Sequence, residues 1–350
     1  MKKIIVLLIL LFPIDCFSLS VPSKSAILID QDSGRILYSK NINDRRLIAS
    51  TTKIMTAIIA IESGKLDEYV RVNDCVLDSY GSGIYIKPGE LIKLRDLVYG
   101  LLLRSGNDAA LMIEDYLGGH NRFISKMNKK ARKIGMKNTI FENSSGLDQN
   151  DEYNYSTVYD MALLMKYANN NLTFRIIDST KLYRVKTNMN FYEWHNKNKL
   201  LYQYKYSTGG KTGYTDKSKR TLVSSASKND MNLIAVTFVD SDDFNTHKKM
   251  YEYGFKNYKN YMILNKAKFK VKGVKNAYIK YNYYYPLRHN EYKNIDISVI
   301  KKSDKKIYGY VLIKFKNKEV HREVIYLVWF IKKCYTTLRE VILWLDYKNK

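Results

Sequence analysis

The 350-residue chain has little cysteine, proline or histidine, and no apolar run long enough to cross a bilayer, which takes about 20 residues. The three cysteines, Cys16, Cys75 and Cys334, form no CxxC pair, which argues against a disulfide framework. The five histidines, His120, His195, His247, His289 and His321, are scattered without zinc-ligand spacing, so no metal and no other cofactor is expected. Acidic residues are also scarce, 34 against 59 Lys and Arg, for a net charge of +25. No zinc-finger or RNP-like run accompanies that charge, so nucleic acid is not the expected partner. A basic surface near anionic lipid or an anionic wall polymer fits better. Hydrophobic residues make up 45%, enough for a sizeable core, and the length allows two domains at about 100–200 residues each.

The N-terminus reads as an export signal. Lys2 and Lys3 precede an apolar run over 4–12, then Pro13, then small residues at Ser18 and Ser20. That is a charged n-region, a short h-region and a cleavage zone. Asp15 stands where a small residue should precede a lipidated Cys16, so residues 1–20 are read as a cleaved signal peptide.

Downstream the pattern is mixed α/β. Residues 25–30 and 35–40 read as a strand hairpin around Gln31-Asp32-Ser33-Gly34. Ser50 opens a run with apolar Ile54, Met55, Ile58, Ile59 and Ile61 at helical spacing, closed by Gly64. Helices are predicted over 91–104, 108–117, 121–133 and 159–168, with a loop at Asn169-Asn170-Asn171. Strands are predicted over 221–227 and 232–240, with Lys211-Thr212-Gly213 on or just before the first. A helix comes next, capped by Ser241 or Asp242 and running to Tyr258.

From residue 261 the runs become short and alternating (268–274, 278–284, 295–300, 307–315), and Lys and Arg outnumber Asp and Glu by 21 to 7. This predicts a small all-β domain over 261–325 after a larger domain over 21–260. Over 326–350 apolar Leu327, Phe330, Ile331, Cys334, Leu338, Val341, Ile342 and Leu345 recur at three- and four-residue steps, with Trp329 and Trp344 near the ends. That is an amphipathic helix suited to lie in a membrane interface, or to pack on protein.

Three short motifs occur in order: Ser50-Thr51-Thr52-Lys53, Ser105-Gly106-Asn107 and Lys211-Thr212-Gly213. Each alone is weak. S-x-x-K recurs at Ser225, Ser298 and Ser303, and a lone serine before a helix is as readily an N-cap. Placement separates them. On a helix, residues three apart share a face, so Lys53 can reach the Ser50 hydroxyl. Ser225 and Ser298 lie in strand-like runs, where residues three apart point to opposite faces. Ser303 and Lys306 lie among charges that would bury no amine. A serine hydroxyl needs a base to attack. Lysine serves if burial or a neighbouring cation such as Lys211 lowers its pKa. Ser105 would relay a proton to a leaving amine. Asn107 would hold a substrate carbonyl and orient Lys53. Lys211 and Thr212 would grip a terminal carboxylate, and Gly213 lets a peptide approach the strand. The amides of Ser50 and Tyr214 would form an oxyanion hole.

These triplets resemble the active-site motifs of penicillin-binding proteins and serine β-lactamases. Further matching stretches at 27–30, 33–34, 49–57, 87–90, 101–110, 141–148, 155–164, 196–201 and 211–216 resemble the low-molecular-mass D-alanyl-D-alanine carboxypeptidases. The resemblance implies a β-lactamase/transpeptidase-like α+β catalytic domain, a β-rich second domain and a C-terminal amphipathic anchor. It implies a serine-type hydrolase that removes the terminal D-Ala from peptidoglycan stem peptides through an acyl-enzyme. β-Lactams would acylate the same serine, on the periplasmic side of the cytoplasmic membrane. The chain departs from the family pattern at Ile48, Ser144-Ser145, Thr208 and Lys217-Ser218-Lys219-Arg220. A β-lactamase reading would need a deacylating Glu, and no E-x-x-x-N lies between the second and third motifs. A D,D-endopeptidase and a non-catalytic wall- or β-lactam-binding protein remain as alternatives.

Overall fold

The computed structural model describes residues 19–148, 151–274, 276–302 and 307–327. The expected signal segment 1–18, Cys16, Cys334, the Ser303–Lys306 match and 328–350 lie outside the described residues.

A five-stranded antiparallel sheet organises the chain up to Phe238. Its order is Ile36–Lys40, Ser25–Asp30, Met231–Phe238, Lys219–Lys228 and Ser207–Thr215. Both faces are covered, so the alternation of a half-exposed strand is lost and all six residues of Ser25–Asp30 are buried. Ile27, Ile29, Ile234 and Val236 face one apolar cluster, shared with the helical layer. Ala26, Leu28, Leu233 and Ala235 face another, with Met250 and Tyr251 of helix α8 (Asp243–Asn257).

The helical layer comprises α1 (Lys53–Glu62), α2 (Leu94–Leu103), α3 (Asn107–Tyr116), α4 (His120–Ile134), α5 (Val158–Asn169) and α6 (Leu172–Ser179), with a short α7 (Leu200–Gln203) beyond it. α1 is apolar on nearly every side: Lys53 to Ile61 are all buried. An all-round apolar helix belongs at the centre of its layer, and the neighbours that cover α1 also close Lys53, at its start, off from water. α4 instead carries an apolar stripe of Phe123, Met127 and Ala131 and ends on Gly135 at φ +93°, the left-handed stop its sequence suggests.

Four local readings change. Leu91–Lys93 is a strand paired with Tyr69–Arg71, so the helix predicted over 91–104 starts at Leu94. Asn171 is not merely loop: its side chain accepts from the Phe174 amide and caps α6. The hairpin Leu182–Lys186 with Phe191–His195 went unpredicted. Lys211-Thr212-Gly213 lies on its own strand, Ser207–Thr215, at the sheet edge, paired with Lys219–Lys228.

Beyond α8, Lys259–Leu264 pairs with Tyr283–Leu287, and Ala277–Tyr278, Lys318–Leu327, Gly309–Phe315 and Ile295–Lys301 form a second sheet in that order. Ile263, Leu264, Ile279, Tyr285, Leu287, Val311, Ile313 and Ile325 make a separate apolar cluster between them. The predicted boundary at 260/261 therefore falls inside the strand Lys259–Leu264. Tyr326 and Leu327, assigned to the terminal helix, finish the strand Lys318–Leu327. Residues 268–274 hold only a bridge between Val271 and Val274. Arg35 ties this part to the main sheet: it pairs with Glu291 at 2.7 Å and lies 4.4–5.3 Å from the ring centres of Tyr258, Tyr285 and Phe315. Among the described residues no helix is long and apolar enough to cross a membrane.

Candidate active site

The three motifs converge where α1, the α2–α3 turn and the edge strand meet. Ser50 lies in a 3₁₀ turn, Ala49–Thr52, that leads into α1. It is half-buried, and the N-cap positions of the turn and of α1 are Ile48 and Thr52, which sets aside the N-cap reading of Ser50. Ala49, just before it, sits at φ +46°, a strained conformation for a residue with a Cβ. That strain is held from both sides. The Thr221 hydroxyl donates to the Ile48 carbonyl at 3.1 Å, and Gly146, at φ +80°, lies so close that a Cβ there would overlap the Ala49 carbonyl.

Lys53 is fully buried. Its Nζ donates to Ser50 Oγ at 3.1 Å, Asn107 Oδ1 at 2.7 Å and the Ser145 carbonyl at 2.6 Å. Burial pushes its pKa well below the ordinary lysine value, and the cations Lys211 and Lys197 lower it further, against the pull of Asp108. A neutral amine at hydrogen-bond distance can take the hydroxyl proton of Ser50.

Asn107 begins α3 and its amide also donates to the Tyr80 carbonyl at 2.6 Å, so both ends of the side chain are fixed. Ser105 is buried at φ +64°. The loop above them is held by Asp108, which accepts from the amides of Ile84, Tyr85 and Ala109 at 2.6–3.0 Å.

The edge strand closes the other side. Lys211 is buried and its pKa is lowered to about 7, by burial first, then by Lys197, against Asp178. Its Nζ donates to the Thr212 carbonyl at 2.7 Å. A Cβ on Gly213 would lie 2.4 Å from Thr221 Oγ1 and 3.1 Å from the Ser50 amide nitrogen, so glycine lets the strand approach this closely. Tyr214 is exposed. Ser50, Ser82, Ser105, Lys197, Lys199, Thr212, Gly213, Tyr214 and Arg220 share a cleft of about 320 Å³ with Asp243 and Phe244. The cleft is strongly cationic. Its carboxylate, Asp243, is already paired with Arg220 at 2.7 Å.

Larger hollows lie elsewhere, one of about 680 Å³ beside Tyr258 and Tyr283, so size alone would have misplaced the site. The duplicate motifs behave as strands require: Ser225 and Lys228 lie on one strand, and Ser298 and Lys301 on another. Sequence reasoning gave no role to the Ser145 carbonyl, Asp108, Lys197 or Asp178. A backbone carbonyl leaves no residue-type signal. Gly146, in the Ser144–Asp148 stretch, was the nearest pointer. Among the described residues no cluster of His, Cys, Asp and Glu is arranged to hold a metal.

Comparison with known proteins shows the family. A family model described as D-alanyl-D-alanine carboxypeptidase matches residues 16–242. The chain is 34% identical over 297 residues to the D-alanyl-D-alanine carboxypeptidase DacF of Bacillus subtilis, covering 81% of this chain and 76% of that one. To DacC of Escherichia coli it is 33% identical over 255 residues, covering 68% and 62%. Penicillin binding protein 6B of Escherichia coli superposes with a TM-score of 0.71 at 27% identity, over 89% of this chain and 97% of that one. A D-alanyl-D-alanine carboxypeptidase of Mycobacterium tuberculosis gives 0.66 at 28% identity, over 69% and 95%. With the penicillin-binding α+β fold and the convergence of its three motifs, the chain belongs to the D-alanyl-D-alanine carboxypeptidase family.

Proposed function

We propose that Ser50 is the nucleophile through which this hydrolase removes the terminal D-Ala from peptidoglycan stem peptides. The observation that carries the assignment is Lys53: fully buried, held by Asn107 and the Ser145 carbonyl, and 3.1 Å from Ser50 Oγ. The neutral amine takes the Ser50 proton as Oγ attacks the carbonyl of the penultimate D-Ala. The amides of Ser50 and Tyr214 face the developing oxyanion. Ser105 passes the proton to the departing D-Ala nitrogen. Water then attacks the acyl-enzyme and restores Ser50. Asn107, Lys211, Thr212 and Gly213 align the peptide along the edge strand, with its terminal carboxylate near Lys211 and Thr212. β-Lactams carry a carboxylate and a strained amide that fit the same groups and leave Ser50 acylated.

A β-lactamase reading needs a base for rapid deacylation. The cleft acid is Asp243, committed to Arg220, which favours slow release of the acylated state. The test is D-Ala release from diacetyl-Lys-D-Ala-D-Ala. Release by wild type and none by Ser50→Ala is expected. No release by wild type, with penicillin still bound, would make the protein a binder, and rapid penicillin turnover would make it a β-lactamase.

Residues 1–20 are read as an export signal, the chain from residue 21 to the end of α8 as the catalytic domain, and the strands from Lys259 on as a second domain. The segment 328–350, read from its sequence as an amphipathic helix, would then hold the enzyme on the periplasmic face of the membrane. The strand Lys318–Leu327 is part of the second domain, so the cut is placed after it. Removing 328–350 should release the protein from membranes, and unchanged partitioning would refute the anchor.

A further inference from the structure

Asp178, the seventh residue of α6, is buried directly behind the edge strand and takes no part in the mechanism above. One carboxylate oxygen has no hydrogen-bond partner. Such a buried, half-satisfied carboxylate is destabilising unless a nearby charge offsets it. The strand is built to bring it close. Gly209 and Gly210 stand at φ +153° and +145°, and a Cβ on Gly209 would lie 2.1 Å from Asp178 Oδ2. The amide of Gly210 donates to the carboxylate, and Lys211, the next residue, is the cation that acts on it. Among the described residues each is the opposite charge that acts on the other.

We propose that Asp178 is a positioning residue for Lys211. Its carboxylate, held behind Gly209-Gly210, keeps the lysine cationic to receive the terminal carboxylate of the substrate. This rests on the assignment of that carboxylate to Lys211 and Thr212. The charged and titratable groups facing the pair are Lys53 on α1, Lys197 before α7, and Tyr251 on α8, whose phenol feels Asp178. Lys197 opposes the charge on Lys211, while the Lys53 amine and the phenol are neutral, so Asp178 is the group that favours it. Burial raises the Asp178 pKa to about 7, which the Gly210 amide and Lys211 counteract. The pair thus trades its charge near neutrality.

The test compares wild type, Asp178→Asn and the smaller Asp178→Ser, which keeps an acceptor for the Gly210 amide without the charge. KM and kcat are measured from pH 5 to 9 on a D-Ala-D-Ala peptide and on its C-terminal carboxamide. Both variants should lose binding of the carboxylate peptide about one pH unit earlier than wild type, a rise of about tenfold in KM at pH 8. The kcat and the carboxamide kinetics should stay within about twofold. A structural role would affect both peptides alike and leave the pH limb in place, and that result would overturn the proposal. D-Ala release by wild type is the control: with it intact, an unmoved limb removes Asp178 alone and leaves the assignment of Ser50 standing.

Discussion

Replacing Gly146 by alanine tests whether the backbone before Ser50 is held under strain. The added methyl would lie 1.9 Å from the Ala49 oxygen, 2.4 Å from its carbonyl carbon and 2.8 Å from Thr52 Oγ1. These are backbone atoms or the base of a short buried side chain, so no flexible group can yield. The φ of +80° adds about 1–2 kcal/mol for any residue with a Cβ, and forced overpacking adds about 1–3 kcal/mol. Together that is about 2–5 kcal/mol, a large share of the roughly 5–15 kcal/mol that holds a domain folded. At about 2–4 °C per kcal/mol the melting temperature should fall by about 4–20 °C. The relief must come from Ala49, so Ser50 moves with it. A displacement near 1 Å lowers a positioned reaction by about 100-fold, read as the rate of labelling by fluorescent penicillin. Gly64→Ala is the matched control: its φ is +76°, but nothing lies within 4 Å. It should lose only about 1–2 kcal/mol and label at the wild-type rate. If Gly146→Ala labels as fast as Gly64→Ala, the coupling from Gly146 through Ala49 to Ser50 is wrong.

Acylation should fall on acidification through the lowered pKa of Lys53, because the protonated amine cannot accept the Ser50 proton. Peptide binding should weaken above about pH 7 as Lys211 loses its charge. A rate profile in which acylation appears only near the ordinary lysine pKa would contradict both. Asn107→Ala removes the acceptor for Lys53 and strands the Tyr80 carbonyl. It should slow acylation about 100-fold and lower the melting temperature measurably; unchanged labelling would count against it. His247 is buried between the Ser224 and Thr237 hydroxyls, and burial lowers its pKa to about 3. Below the ordinary value near 6.5 the unfolded chain gains a proton that the folded one refuses. Stability is therefore lost as pH falls from about 6.5 towards 3, by about 1.4 kcal/mol per unit at most. His247→Gln should flatten that slope in urea melts at pH 4 and 7.

Much of the site was legible because it is built from side chains at short spacing. Ser50 and Lys53 lie three residues apart beside an apolar helix, and the glycine of Lys211-Thr212-Gly213 marks a close approach. The main strands were readable from apolar-rich runs and turn residues, down to the bounds of Ser25–Asp30. The features that stayed hidden depend on distant partners. Leu91–Lys93 continues the helical spacing of α2 backwards, but Tyr69–Arg71 pairs with it and makes it a strand. The Ser145 carbonyl reaches Lys53 across 92 positions. Asp178 looks like any acid near a helix end until Gly209 is seen against it. The later strands were shifted because short alternating runs rich in Lys and Tyr offer several registers, and the buried face of the Ile263–Ile325 cluster decides among them.

The most direct test of Ser50 is its acyl adduct. The purified mature protein is incubated with fluorescent penicillin, digested, and the labelled peptide is identified by mass spectrometry, beside Ser50→Ala and Lys53→Met. The label should sit on Ser50 in wild type, be absent from Ser50→Ala, and form very slowly in Lys53→Met. A label on another residue, or equal labelling of Ser50→Ala, would contradict the account.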